Sequence, residues 1–161
     1  MLFTRSVLVA VFLALTLGPA RAVEVPRPVS NPRPPAAKVQ GSLVLTWEEI
    51  NARAANARAA NGRSRSILRA PTATLDELEA HVTVLPPGQD SHPPHRHPAE
   101  EVVVVREGRV DFVIEGATHH AGPGSWVLLA SMEEHMLRNV GDTPAVYYVM
   151  QWKTPATGAV K

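Results

Sequence analysis

An all-β domain, built as a sandwich or barrel of short antiparallel strands, is the fold this 161-residue sequence predicts. Three observations carry that expectation. From residue 80 onward, short apolar or alternating runs are separated by turn residues: Pro86-Pro87-Gly88, Glu107-Gly108, Gly116, Gly122-Pro123-Gly124 and Gly141-Asp142-Thr143-Pro144. The run Val102 to Val105 is pure valine, whose branched side chains suit a buried pleated strand. Composition agrees: 45% of the chain is hydrophobic but only 5% is aromatic, so aliphatic side chains must fill the core.

The elements follow in order. Residues 1–22 read as a secretory signal peptide: Arg5 gives a positive start, residues 6–17 form an apolar run, and Pro19-Ala20-Arg21-Ala22 offers a small-residue cleavage site. The apolar run is short for a membrane span, the alternative being an uncleaved anchor. Residues 23–40 hold Pro26, Pro28, Pro32, Pro34 and Pro35, the composition of an extended linker. Residues 41–79 form an N-terminal arm. A short strand is expected over 42–45, and then a helix opened by the capping box Thr46-Trp47-Glu48-Glu49. The Asn-Ala-Arg-Ala-Ala tract, repeated from Asn51 and Asn56, continues that helix until Asn61-Gly62 stops it. Its five-residue period fits no coiled coil, and a solvated helix is preferred over a partner-binding arm. The barrel takes residues 80–153, about seven strands, and 154–161 form a tail.

Cleavage after residue 22 would remove Arg5 and Arg21, leaving 14 basic against 15 acidic residues, a net charge of −1. That balance gives no reason to expect nucleic acid, or a membrane surface once the signal is gone. An exported protein in the periplasm or outside the cell is the expected localisation. With no cysteine, disulfides and thiolate ligands are excluded.

Four side chains carry the chemistry: His95, His97, Glu101 and, much later, His135. The first three share parity, so an extended chain would point them to one face. A barrel bringing His135 opposite them closes a site of three imidazoles and one carboxylate. Such donors suit a divalent transition metal (Fe, Mn, Ni, Cu or Zn) with positions left open for substrate or oxygen. Glu100 is adjacent to Glu101 and of the wrong parity.

These residues sit in two motifs that resemble those of the cupin superfamily, in its small single-domain form. The first is Gly88, a six-residue spacer, His95-Arg96-His97, three residues, Glu101, six residues and Gly108; the spacer is one longer than usual. The second runs from Gly124 through His135 to Asn139, with Ala130 where proline is usual and Met132 where glycine is usual. The resemblance covers residues 80–152. It implies a jelly-roll β-barrel, with a short N-terminal helix and proline-rich extension added here. It also implies a metal inside the barrel held by His95, His97, Glu101 and His135, and a homodimer as a reasonable association. It names no reaction, because the fold hosts enzymes, binding modules and storage proteins.

Other residues receive plainer readings. His92 is taken as a loop histidine, with a place bordering the site as the alternative, and His119 and His120 as structural or exposed. His81 is taken as a satisfied core histidine. Glu133 and Glu134 read as a charged loop before His135, with a base at the pocket mouth as the alternative. Asn139 is assigned to holding local geometry. Met136 and Tyr148 are expected to pack a sheet face, and Trp126 and Trp152 to pack or to anchor an interface. Val103, Val105, Leu137 and Tyr147 or Tyr148 would line an apolar pocket without an arginine clamp. The expected function is a metal-dependent enzyme on a small organic molecule. An oxygenase is its most concrete form, with a metal-dependent isomerase or hydrolase, or a non-catalytic ligand- or metal-binding module, as alternatives. No catalytic side chain beyond the ligands stands out.

Overall fold

The computed structural model describes residues 38–53 and 63–160. The signal peptide, most of the proline-rich segment and the second Ala/Arg repeat lie outside the described residues. Among the described residues, eight strands form two antiparallel sheets. They are β1 (Arg63–Ala70), β2 (Glu77–Leu85), β3 (Glu100–Glu107), β4 (Val110–Ile114), β5 (Ala117–Ala121), β6 (Trp126–Leu129), β7 (His135–Asn139) and β8 (Ala145–Lys153). The larger sheet has the order β1-β2-β8-β3-β6 and the smaller β5-β4-β7. The last strand in sequence therefore lies between two early ones, the crossing that makes a jelly roll.

The core lies between the sheets. Leu85, Val103, Val105, Leu129, Tyr147 and Val149 from the larger sheet meet Val110, Phe112 and Leu137 from the smaller. All the larger-sheet members have odd numbers, as strand alternation requires. The even-numbered face has its own cover. Helix α1 (Trp47–Asn51) places Ile50 against Val82 and Val146, with Trp47, Val84 and Tyr148 packed around them. The Arg106 guanidinium closes this cluster, 3.6 Å over the Trp47 ring.

Gly108, between β3 and β4, has φ +85, and a Cβ there would stand 2.7 Å from the Ala145 Cα, so only glycine fits. Three expectations for the arm need correction. Residues 42–45 form no strand: Leu43 and Val44 are exposed and meet no sheet edge. The described helix ends at Asn51, and its capping box is as expected, with Glu49 N–H donating to Thr46 Oγ1 and Thr46 N–H to Glu49 Oε2. Arg53 does not continue the helix; its guanidinium donates to the carbonyls of Ser66 and Ile67 at 2.8 and 2.7 Å. Those carbonyls lie at the bulge in β1 between Ser66 and Leu68. Finally, β-structure begins at Arg63 rather than at residue 80, and β1 and the first residues of β2 belong to the barrel's larger sheet.

Candidate metal centre and pocket

The His95 loop and strand β7 are joined by backbone. His95 N–H donates to the His135 carbonyl at 3.2 Å and His135 N–H returns to the His95 carbonyl at 2.9 Å. Such a mutually bonded antiparallel pair places the two side chains side by side. Their ring centroids are 4.6 Å apart, and His97 stands 5.3 Å from His95 and 5.0 Å from His135. The three imidazoles can each offer a nitrogen such that all lie within 4.8 Å of one another. Residues 96–99 belong to no strand and the chain bends at 98–99, so the alignment comes from the His95–His135 bridge and that bend before β3. Met132 N–H donates to the His97 carbonyl at 2.9 Å and fixes the bend from the other motif.

The ring orientations are set locally. Nδ1 of His97 lies 2.8 Å from the Ala99 carbonyl, and Nδ1 of His135 2.9 Å from the Glu133 carbonyl. A carbonyl only accepts, so both Nδ1 atoms carry a proton, and in the neutral rings both Nε2 atoms hold a lone pair. Those two Nε2 atoms are buried and lack a hydrogen-bond partner. Glu101 Oε2 is 3.4 Å from His97 Nε2, a contact without hydrogen-bond alignment. The carboxylate beside His97 raises its pKa above the usual histidine value, against the opposing effect of burial. For His95, burial and then the neighbouring His92, His135 and His97 push the pKa down to about 4, so it is neutral at physiological pH.

Buried, unpartnered lone pairs on rings whose other nitrogen is tied to a carbonyl fit a divalent metal. The donor set of imidazoles with a carboxylate in contact, and no thiolate, fits the same group. His95, His97 and His135 form the cluster, while Glu101 meets it through His97.

The cluster forms one wall of a cavity of about 340 Å³. Val103, Leu137 and Tyr147 line it as expected, but Val105 and Tyr148 do not: Val105 lies in the deeper core and Tyr148 on the opposite sheet face. The expected apolar pocket is also corrected, because Arg69, Glu79, His81 and Gln151 line the end away from the histidines. His92 reaches the cluster itself, its ring edge-on to His95 at 4.0 Å. Burial lowers its pKa. Met136, expected only to pack, also lines the cavity.

The remaining residues take supporting places. Asn139 is fully buried; its Nδ2 donates to the carbonyls of Leu85 and Thr143 and its Oδ1 accepts from Gly141 N–H, all at 2.9 Å. It clamps the ends of β2, β7 and the turn before β8. Glu134 is turned to Arg96 at 3.2 Å, away from the cluster, and Glu133 serves through its carbonyl. His119 and His120 are exposed, the latter bonded to Asp111. Trp126 is exposed on β6 and does not line the cavity.

Comparison with known proteins agrees with this architecture. Residues 81–151 match the family model described as the cupin domain. Residues 81–151 of this chain form a cupin domain. Over 79 residues it is 35% identical to dimethylsulfoniopropionate lyase DddQ of Ruegeria pomeroyi. That alignment covers 48% of this chain and 38% of the lyase, so the chain spans well under half of this curated relative. Among solved structures, a Cupin 2 conserved barrel domain protein from Salinispora arenicola is 27% identical, with a TM-score of 0.51 over 63% of this chain and 84% of that one. The polyketide cyclase RemF of Streptomyces resistomycificus is 20% identical, with a TM-score of 0.57 over 69% and 81%. At that identity it shows the shared fold alone.

Proposed function

We propose that this cupin is an exported metal-dependent enzyme that acts on a small oxygen-bearing organic molecule. The observation that carries the reading is the pair of buried, unpartnered Nε2 atoms of His97 and His135, gathered with His95 on a cavity wall. His95, His97 and His135 would hold one divalent transition metal, with Glu101 as the fourth donor. The metal would supply Lewis-acid polarisation of a substrate oxygen. The chain's own residues do the rest. The His95–His135 backbone pair fixes two donors, the Ala99 and Glu133 carbonyls orient the rings, and Leu129, Leu137 and Val149 give the cavity apolar lining.

The lyase that matches 79 residues puts elimination or proton transfer ahead of the oxygenase chemistry that the same donors admit. The test is to strip the protein and reload it separately with Fe, Mn, Ni, Cu and Zn. Each form is incubated in air with dimethylsulfoniopropionate, pyruvate or catechol, following products by NMR and oxygen by electrode. Metal-dependent turnover that His135→Ala abolishes is the expected result. Oxygen consumption would select the oxygenase form, and a loaded protein that converts none of the three probes contradicts the enzyme reading.

A further inference from the structure

The cavity has a second chemically equipped end that none of the metal chemistry uses. Strand pairing sets Arg69 beside Glu79, Glu79 beside Gln151, and Gln151 beside Glu101. All four line the cavity. A polar row therefore crosses the larger sheet and ends at the histidine cluster. Glu79 and Glu101 are two strand spacings apart, about 10 Å. One step along β2 lies His81, on the same face because strand side chains alternate.

Glu79 is buried at 7% exposure, an unusual place for a carboxylate. Both of its oxygens lie within hydrogen-bond distance of His81 Nδ1, at 3.0 and 3.1 Å. Gln151 Nε2 donates to Oε2 at 3.4 Å, and Arg69 Nη2 stands 4.0 Å from Oε1. A carboxylate held from two sides and closed on Nδ1 keeps that nitrogen protonated. The neutral ring's lone pair is then at Nε2, and the ring is on the cavity wall.

We propose that His81 is the general base of this pocket, positioned by Glu79, and that it takes a proton from carbon on a small carboxylate or ketone. This rests on the proposed metal centre, which would hold the substrate's carbonyl or carboxylate oxygen at the other end. In the step, the C–H bond next to the carbonyl carbon breaks and an N–H bond forms at His81 Nε2. The electron pair stays on the substrate. It delocalises onto the carbonyl oxygen and is reprotonated in an isomerisation, or it forms a C=C bond as a leaving group departs with its own bonding pair. The proton returns to substrate or passes to water, and no oxidant or reductant is needed. His81 is the catalytic residue, whereas Glu79 acts through it and is a positioning residue.

The test is deuterium incorporation from D2O into dimethylsulfoniopropionate and pyruvate by the metal-loaded protein, beside His81→Gln and Glu79→Gln. Metal content and melting temperature are measured for each variant. Wild type is expected to deuterate the carbon next to the carbonyl of at least one probe. His81→Gln should lose about 10²-fold or more with its metal content unchanged, and Glu79→Gln should lose about 10-fold. In metal-free protein, 15N spectra should show His81 as the Nδ1–H tautomer and should change in Glu79→Gln, a response that a purely structural pair has no reason to couple to exchange. Exchange at the wild-type rate in a folded, loaded His81→Gln overturns the dyad alone. Loaded wild type that gives neither incorporation into a probe nor an elimination product also overturns it. A wild-type protein that takes up no metal overturns the centre and the dyad together, and the empty centre identifies that failure.

Discussion

Glu79 shows how far a single side chain can depart from its sequence signature. In Glu77-Leu78-Glu79-Ala80-His81-Val82, alternation places the even residues in the core and the acidic ones in water. Both faces of β2 are in fact covered, the even face by α1 and the odd face by the pocket. A strand covered on both faces cannot be sorted by alternation, so the Glu79–His81 contact was not legible, whereas the histidine cluster was, through its spacing. Burial would raise the Glu79 pKa. His81, through its hydrogen bond and charge, and then Arg69 and Gln151 outweigh burial and lower it. A carboxylate whose folded pKa lies below its unfolded one stabilises the fold above the unfolded value and ceases to do so as pH falls through the folded one. The stability advantage of wild type over Glu79→Gln should therefore be full at neutral pH. It should shrink on acidification below the ordinary glutamate value of 4.5. Urea midpoints at neutral pH and about one unit below that value measure it. An advantage that grows on acidification contradicts this assignment.

At the scale of elements, the turn before β7 carries the second motif's departures. Met132 occupies the position where glycine is usual, and the backbone has kept the glycine conformation at φ +66. A non-glycine residue there costs about 1–2 kcal/mol. Met132 is nonetheless held, since its N–H bonds the His97 carbonyl and its carbonyl accepts from Arg96. Met132→Gly relieves the strain and adds about 0.5–1 kcal/mol of unfolded-chain entropy. The expected outcome is a gain of up to about 1 kcal/mol in denaturant unfolding, with the slope unchanged. A loss would mean that the methionine side chain contributes more packing than its backbone costs. Strands β3 to β8 were legible because Gly and Pro punctuate them and, in β3, valine fills the strand. Strand β1 was not: Arg63-Ser64-Arg65-Ser66 has no apolar face, and it is a strand because it pairs with β2 at the sheet edge. The segment 42–45 is the converse, apolar enough to suggest a strand but with no edge to join.

For the whole molecule, the jelly-roll crossing converts sequence distance into proximity. Placing β8 between β2 and β3 brings the Glu79–His81 pair and Glu101 onto one sheet face, and the β7 bridge brings His135 to the loop that precedes β3. The three clustered histidines were legible because two motifs repeat a known spacing. The continuous strand first expected to align them was not what the chain uses. The polar far end of the cavity was hidden because it depends on which strand becomes β8's neighbour, a property of topology rather than of local pattern. Export rests on residues 1–22, which lie outside the described residues, and on their sequence alone.

The most direct test of the central claim is elemental analysis of the protein purified from an exporting host without chelator, beside a His135→Ala variant checked for folding. The account predicts close to one equivalent of a transition metal in wild type and a loss of most of it in the variant. A folded wild-type protein that carries no metal and takes up none on reconstitution would contradict the account.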